Sequence, residues 1–406
     1  MNKRIYFTVS ILLASVISIT AQVNAPTAYP DRVILNLTED PSTSVAVTWR
    51  TDISMNEGFC EIQSVPSGPV KGGDSKSYKA RTTSMVYEYE NEPVIRANQH
   101  SHLFTGLTPG EKYIYRVGND DYWSEWFEFQ TPTNEDEKFS FIYMGDPQTD
   151  LKSQWSRVVR AAYKHEPNSG FILYCGDLIN RAGRDTEWHE WFHAGSFIYS
   201  TIPQVMTPGN HEYRRMVLDP HWNAQFTLPA NGPEGLEGSC YAVDYKNMKL
   251  ISINSAAESE LRHKEGTKME AQKVWLDSVL SANTQEWVIV TTHLPFYSPK
   301  ENRDNKHLRE NFQPILEKHN VDLVLTGHDH SYGRGRATDN PAGGHQVMYV
   351  VSVSGPKMYE VGDKDWMEHS GADTQLYQVI SIEGKKLTYE SYSADGKLFD
   401  QFQLAK

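Results

Sequence analysis

What most constrains this chain is a set of apolar segments that each end on a side chain able to hold a metal ion. In "YCGDLIN", residues 174 to 180, an apolar run from Phe171 to Cys175 gives way to Gly176 and Asp177. The same break recurs at Asp146 in "MGDPQ", at Asn210 and His211 in "PGNHE", at His293 in "TTHLPF", and at His328 and His330 in "GHDH". One Gly-Asp pair is an ordinary turn, and one histidine at a strand end is ordinary hydrogen-bonding filler. Five such ends in a single domain are hard to explain as turns. In open α/β sheets the carboxyl ends of the strands gather along one edge, and sites are built there.

The surrounding pattern agrees. "FSFIYMGD" and "GFILYCGD" read as strands, and "SQWSRVVRAAYKH" between them carries apolar residues at helical spacing. "DTEWHEWFHAGSFIYS" reads as the next helix, and "EWVIVTTH", "LRENFQPILEKH" and "VDLVLTGHDH" repeat the alternation. Strand alternating with helix predicts an α/β layered domain. The tail, "HQVMYVVSVSG", "YQVISIEG", "KLTYESYSADG" and "KLFDQFQL", reads as short strands with Gly turns that form a second sheet. Helices outside two sheets give a four-layer αββα sandwich over residues 137–406. Residues 25–133 differ: "SVAVTWRT" and "KYIYRVG" alternate apolar and polar residues and no helical period occurs, which predicts an all-β sandwich. Pro132 and the acidic "NEDE" mark the linker.

At 406 residues the chain suits two domains, and 22% charged residues with 39% apolar ones argue against disorder. A net charge of -13 argues against an extended nucleic acid as a partner, while small anionic substrates stay open if local cations or metals offset the field. Residues 1–21 read as a secretory signal: Lys3 and Arg4, an apolar stretch from Tyr6 to Ile19, and a cleavage point after Ala21. The expected mature protein is secreted or periplasmic, with no stable membrane insertion. Cys60, Cys175 and Cys240 cannot all pair within one chain, and Cys175 reads as a small buried filler.

Two carboxylates, an amide oxygen and three imidazoles suit first-row transition metals and suit calcium poorly. Six donors exceed what one tetrahedral ion needs, and with a bridging carboxylate they fit two ions side by side. In this order and spacing, "GD", "GDLIN", "GNHE", "THLPFY" and "GHDHSYGR" resemble the calcineurin-like metallophosphoesterases, and most closely their purple acid phosphatase branch. "INS" at 253 to 255 and "QKVWLDSVL" at 272 to 280 are similar to that branch too. "HSHLFTGLTPGEKYIYRVG" and "FEFQTP" resemble its fibronectin type III-like N-terminal domain.

The resemblance implies that Asp177 bridges two metal ions, that Asp146 and His330 bind the first, and that Asn210, His293 and His328 bind the second. It implies that His211 serves as general acid or phosphate ligand. Tyr332 and Arg334 match the trailing Tyr and Arg of the last motif, either as substrate contacts or as packing residues. Two positions depart from the branch. Asn180 stands where its iron-binding tyrosine would be, and Gln148 where it usually has glycine and other metallophosphoesterases a histidine ligand. Either amide supplies a neutral oxygen to the first metal or hydrogen-bonds behind the ligands. Without the phenolate, a divalent pair (Zn, Mn or Fe) and a colourless protein are expected.

The implied activity is an exported, acid phosphatase-like hydrolysis of phosphate monoesters, with hydroxide generated at the metal pair attacking phosphorus. A phosphodiesterase or pyrophosphatase acting on nucleotides or lipid headgroups uses the same centre. A catalytically silent binding module is the alternative from another class, and the intact ligand set argues against it. The expected partner is a small phosphorylated substrate; the oligomeric state is not readable. His189 and His193, four apart on one helix, read as packing residues, and Arg262, His263, Lys300, Arg303 and His307 as solvated loop.

Overall fold

The computed structural model describes residues 25–406, apart from 72, 91, 136, 258–266 and 338–345. The signal segment, Arg262 and His263 therefore lie outside the described residues.

The N-terminal part is a β-sandwich. One sheet holds Asp31–Asn36, Val45–Thr51, Ile95–Phe104 and Arg81–Tyr87; the other holds Phe59–Ser64, Lys76–Lys79, Lys112–Asn119, Tyr122–Trp123 and Phe127–Gln130. Alternate residues face inward, and Val45, Val47, Trp49, Cys60, Ile62, Tyr115 and Val117 form the core between them. The first sheet does not stop at the linker. Asp31–Asn36 also runs parallel to Gln204–Thr207, pairing Asn36 with Gln204, so a sheet of ten strands crosses from one domain into the other.

In the second domain, Phe139–Met144, Ile172–Cys175 and Gln204–Thr207 are parallel neighbours in that ten-stranded sheet. A seven-stranded sheet faces it, with Met248–Ile253, Trp287–Thr292, Leu323–Thr326 and Met348–Val351 parallel at its centre. These strands are near-continuous apolar runs because both faces are covered. Leu250, Ile289, Leu323, Leu325 and Val350 join the core shared with the first sheet. Their neighbours Ile251, Val288, Val290, Val324 and Val351 pack instead on the helices Thr267–Ser281 and Lys306–Lys318 through Leu276, Leu308, Phe312 and Leu316. On the far side, Ser156–His165 and Asp185–Gly195 cover the first sheet through Val158, Val159, Trp188 and Trp191. The four layers are thus present.

Two expectations need correcting. The tail strands do not form the second sheet. Met348–Val351 belongs to it, but Leu376–Glu383, Lys386–Ser393 and Leu398–Ala405 extend the first sheet, with Leu376–Glu383 antiparallel to Phe139–Met144. Apolar alternation marks a strand without naming its partner, and the open edge at Phe139–Met144 takes the hairpin. The single helix expected over 185–200 breaks at Ser196, whose φ of 46° ends one helix before Phe197–Thr201 starts another.

Candidate metal centre

Each sequence-selected ligand sits just past the carboxyl end of a strand. Asp146 follows Phe139–Met144, Asp177 follows Ile172–Cys175, and Asn210 opens the short turn after Gln204–Thr207. From the facing sheet come His293 after Trp287–Thr292 and His328 and His330 after Leu323–Thr326. The chain turns sharply at these points. Asp146, Asp177, His328 and His330 have φ of 45°, 52°, 72° and 47°, a region that non-glycine residues enter at a cost of order 1–3 kcal/mol. Gly176, with φ of 81°, allows the turn before Asp177, and a Cβ there would lie 2.6 Å from both the Gly209 nitrogen and His293 Nδ1. A Cβ on Gly209 would collide with Asp177 in turn. The two loops meet back to back, which is why a buried strand here stops on glycine and a carboxylate.

The side chains converge in two groups. Asp177, His293 and His328 form one, Asp146, Asp177 and His330 the other, and within each group the ligand atoms lie within 4.8 Å of one another. Asp177 belongs to both. His293 Nε2 lies 3.1 Å from Asn210 Oδ1, 3.1 Å from His328 Nδ1 and 3.3 Å from Asp177 Oδ2. Such separations are the edges of a coordination shell with bonds of about 2.0–2.2 Å. The outer nitrogens are anchored: His293 Nδ1 is 2.8 Å from the Cys175 carbonyl and His330 Nδ1 is 3.0 Å from the Lys357 carbonyl, which aims each Nε2 inward.

Charge supports the fit. Asp146 is fully buried, and among the described residues neither of its oxygens has a hydrogen-bond partner, His293 Nδ1 lying 3.7 Å away. Burial, reinforced by the charge of Asp177, pushes its carboxyl well above the usual range. A buried carboxylate with nothing to bond is costly, and a cation beside it removes the cost. Burial also pulls His330 down to about 3, with the charge of Lys357 adding to it, so the ring is neutral and free to ligate. The residues present therefore fit a pair of metal ions.

Gln148 enters the centre. It is fully buried, its Nε2 donates to Asp177 Oδ2 at 2.7 Å and lies 3.4 Å from His330 Nε2, and among the described residues its Oε1 has no hydrogen-bond partner. Asn180 acts through its backbone: its carbonyl is 2.5 Å from His211 Nδ1, and the residue lines a cavity of about 360 Å³ with Glu92, Arg184 and Glu187. His211 is partly exposed, its backbone N–H donates to Asp177 Oδ1 at 2.9 Å, and its Nε2 is 3.8 Å from Asp177 Oδ2. Tyr332 and Arg334 turn away. The Tyr332 hydroxyl donates to Asp400 at 2.7 Å, and Arg334 bonds Asp400 and Glu368, so both tie strands together. His189 and His193 stack on each other at the border of the two domains, away from the centre. All three cysteines are buried and free.

Two residues escaped the sequence reading. Glu212, the last letter of "GNHE", is fully buried and accepts backbone N–H bonds from Gly209 (2.6 Å), Leu178 (2.8 Å) and Asp177 (2.9 Å). Burial, with the charge of Asp177, pushes it up to about 7. Asp329, between the two last histidines, is buried against Ser298 and Arg303. The signal for both was an acid inside a ligand motif.

Comparison with known proteins agrees with this geometry. The family model for the purple acid phosphatase N-terminal domain matches residues 30–131, and that for calcineurin-like phosphoesterases matches residues 139–332. Human acid phosphatase type 7 is 25% identical over 347 residues, 80% of this chain and 75% of that protein. Probable purple acid phosphatase 20 of Arabidopsis thaliana is 26% identical over 321 residues, 75% of this chain and 69% of that one. The fold matches the purple acid phosphatase PPD1 from yellow lupin (Lupinus luteus) seeds with a TM-score of 0.76 and 17% identity, over 93% of this chain and 74% of the other. A purple acid phosphatase N-terminal domain followed by this phosphoesterase domain makes the chain a member of the calcineurin-like metallophosphoesterases, in the purple acid phosphatase branch, whose members hydrolyse phosphoric esters at a binuclear metal centre.

Proposed function

We propose that the protein is an exported phosphatase that hydrolyses phosphate monoesters at a pair of divalent metal ions. The observation that carries this reading is the sharing of Asp177 between the two ligand groups. Asp146, Asp177 and His330 would hold one ion, and Asp177, Asn210, His293 and His328 the other. When bound, the ions would neutralise phosphoryl charge and lower the pKa of a water from ~15.7 to about 7, which supplies the nucleophile.

The chain's own residues do the rest. His211 donates its Nδ1 proton to the Asn180 carbonyl, which fixes the orientation of the ring. Its Nε2 is left facing the centre, placed to protonate the leaving oxygen. Gln148 holds Asp177 in position through its amide. Asn180 offers no phenolate, so a trivalent iron is poorly supported, and no charge-transfer band is expected in the visible spectrum. Export rests on residues 1–21, and N-terminal sequencing of the secreted form should begin at Gln22.

The test is hydrolysis of p-nitrophenyl phosphate and of bis(p-nitrophenyl) phosphate by the purified mature protein, with added zinc, manganese or iron and with chelator. Chelator-sensitive release with the monoester preferred supports the reading. Preference for the diester would replace it with a phosphodiesterase.

A further inference from the structure

Lys300 and Lys357 come from separate loops, yet both ammonium groups sit over the ring of Tyr359, at 4.0 Å and 5.5 Å from its centroid. They are therefore within about 10 Å of each other. Among the described residues neither makes an ion pair, although the chain carries 52 acidic residues against 39 Lys and Arg. The charge of Lys300 reaches Asp329, but that carboxylate is bonded to Arg303 and Ser298. Lysines gathered without a carboxylate bonded to either call for an anion from outside.

Their position says which anion. The Tyr359 ring packs edge-on against His330, 4.8 Å between centroids, and the Tyr359 N–H donates to the His330 carbonyl at 2.9 Å. The Lys357 carbonyl is the partner of His330 Nδ1. Both cations thus stand on the histidine side of the metal centre, while the cavity beside Asn180 is lined by Glu92, Glu187 and Glu190. The metal ligands themselves account for one phosphoryl group and leave these lysines unused.

We infer that Lys300 and Lys357, carried by Tyr359, form a subsite for a second anionic group on the substrate, a carboxylate or a second phosphate. The preferred substrates are then phosphate monoesters that bear a further negative charge a few bonds from the ester. This rests on the monoester reading above.

The experiment compares three probes of one carbon skeleton: glycerol 3-phosphate, 3-phosphoglycerate and glycerol 1,3-bisphosphate. The metal-loaded wild type should show kcat/KM about tenfold higher for the second and third than for the first, mostly through KM. Lys300→Ala/Lys357→Ala should abolish that advantage, and Lys300→Ala alone should reduce it while leaving glycerol 3-phosphate within about twofold of wild type. An advantage confined to 3-phosphoglycerate would assign the subsite to carboxylates, and one confined to glycerol 1,3-bisphosphate to phosphates. Equal rates on all three in wild type, or an equal loss on all three in the variant, would overturn the subsite. Calorimetric binding of 3-phosphoglycerate and glycerol 3-phosphate supplies a readout free of turnover. If only a diester is hydrolysed, the monoester reading fails, and tighter binding of 3-phosphoglycerate that needs the lysines still decides the subsite.

Discussion

At the scale of single residues, the centre separates side chains that hold metal from side chains that hold those ligands. Among the described residues His211 touches no second imidazole, and it is partly open to solvent, so its loss should leave the ligand cage intact. His211→Ala is expected to lower kcat by roughly 10²–10⁴ with metal content unchanged, the usual reach of a general acid. Metal analysis beside kcat checks this, and parallel loss of metal would put His211 among the ligands. Glu212 works differently. Its carboxylate collects three N–H groups from the loops that carry Asp177 and Asn210. Glu212→Gln would turn an amide NH₂ toward one of those donors and should cost about 1–3 kcal/mol of stability. Urea unfolding of the metal-free protein measures it; an unchanged midpoint would mean the loops hold themselves.

At the scale of elements, the Arg32 and Arg50 strands of the sandwich meet Asp185, the first residue of helix Asp185–Gly195. Arg32 lies 2.8 Å and Arg50 3.3 Å from its carboxylate, and all three are buried. Burial alone would raise the Asp185 carboxyl, but Arg32, the bond with His221 and Arg50 outweigh it and hold it below the usual range. A lowered folded pKa means the stabilisation is complete above the unfolded value of about 3.9 and fades as pH falls through the folded one. Asp185→Asn should therefore cost about 3–5 kcal/mol at neutral pH, and the gap from wild type should shrink only in strong acid. Urea midpoints from pH 7 downward test both statements; a gap independent of pH would show that charge is not the cause.

The same elements show what a sequence carries. The ligands were legible because each directly follows an apolar strand, so Asp146, Asp177, His293 and His330 are set by the strand's end. Asn180 and Tyr332 were readable as positions but not as roles, because what they touch depends on distant residues, His211 in one case and Asp400 in the other. The Lys300 and Lys357 pairing lies in irregular loops with no period to read. The join between the domains rests on Asn36 meeting Gln204, 168 residues away, and no local pattern announces it.

At the scale of the molecule, the ten-stranded sheet and the buried Asp185 cluster make the sandwich part of the catalytic unit and not a tethered spacer. Tyr115 adds a 2.7 Å bond from the sandwich to the Ser200 carbonyl. Heat or urea should unfold the two domains in one transition, and a chain begun at residue 137 should be poorly soluble, since it bares the Gln204–Thr207 edge. Two separate calorimetric transitions would contradict that coupling. If one carboxylate, Asp177, serves two ions, the number of ions held per chain depends on it. Atomic-absorption analysis after loading and desalting should find two ions per chain in wild type, one in His330→Ala and none retained in Asp177→Ala. A single ion in wild type, or one still held by Asp177→Ala, would contradict it.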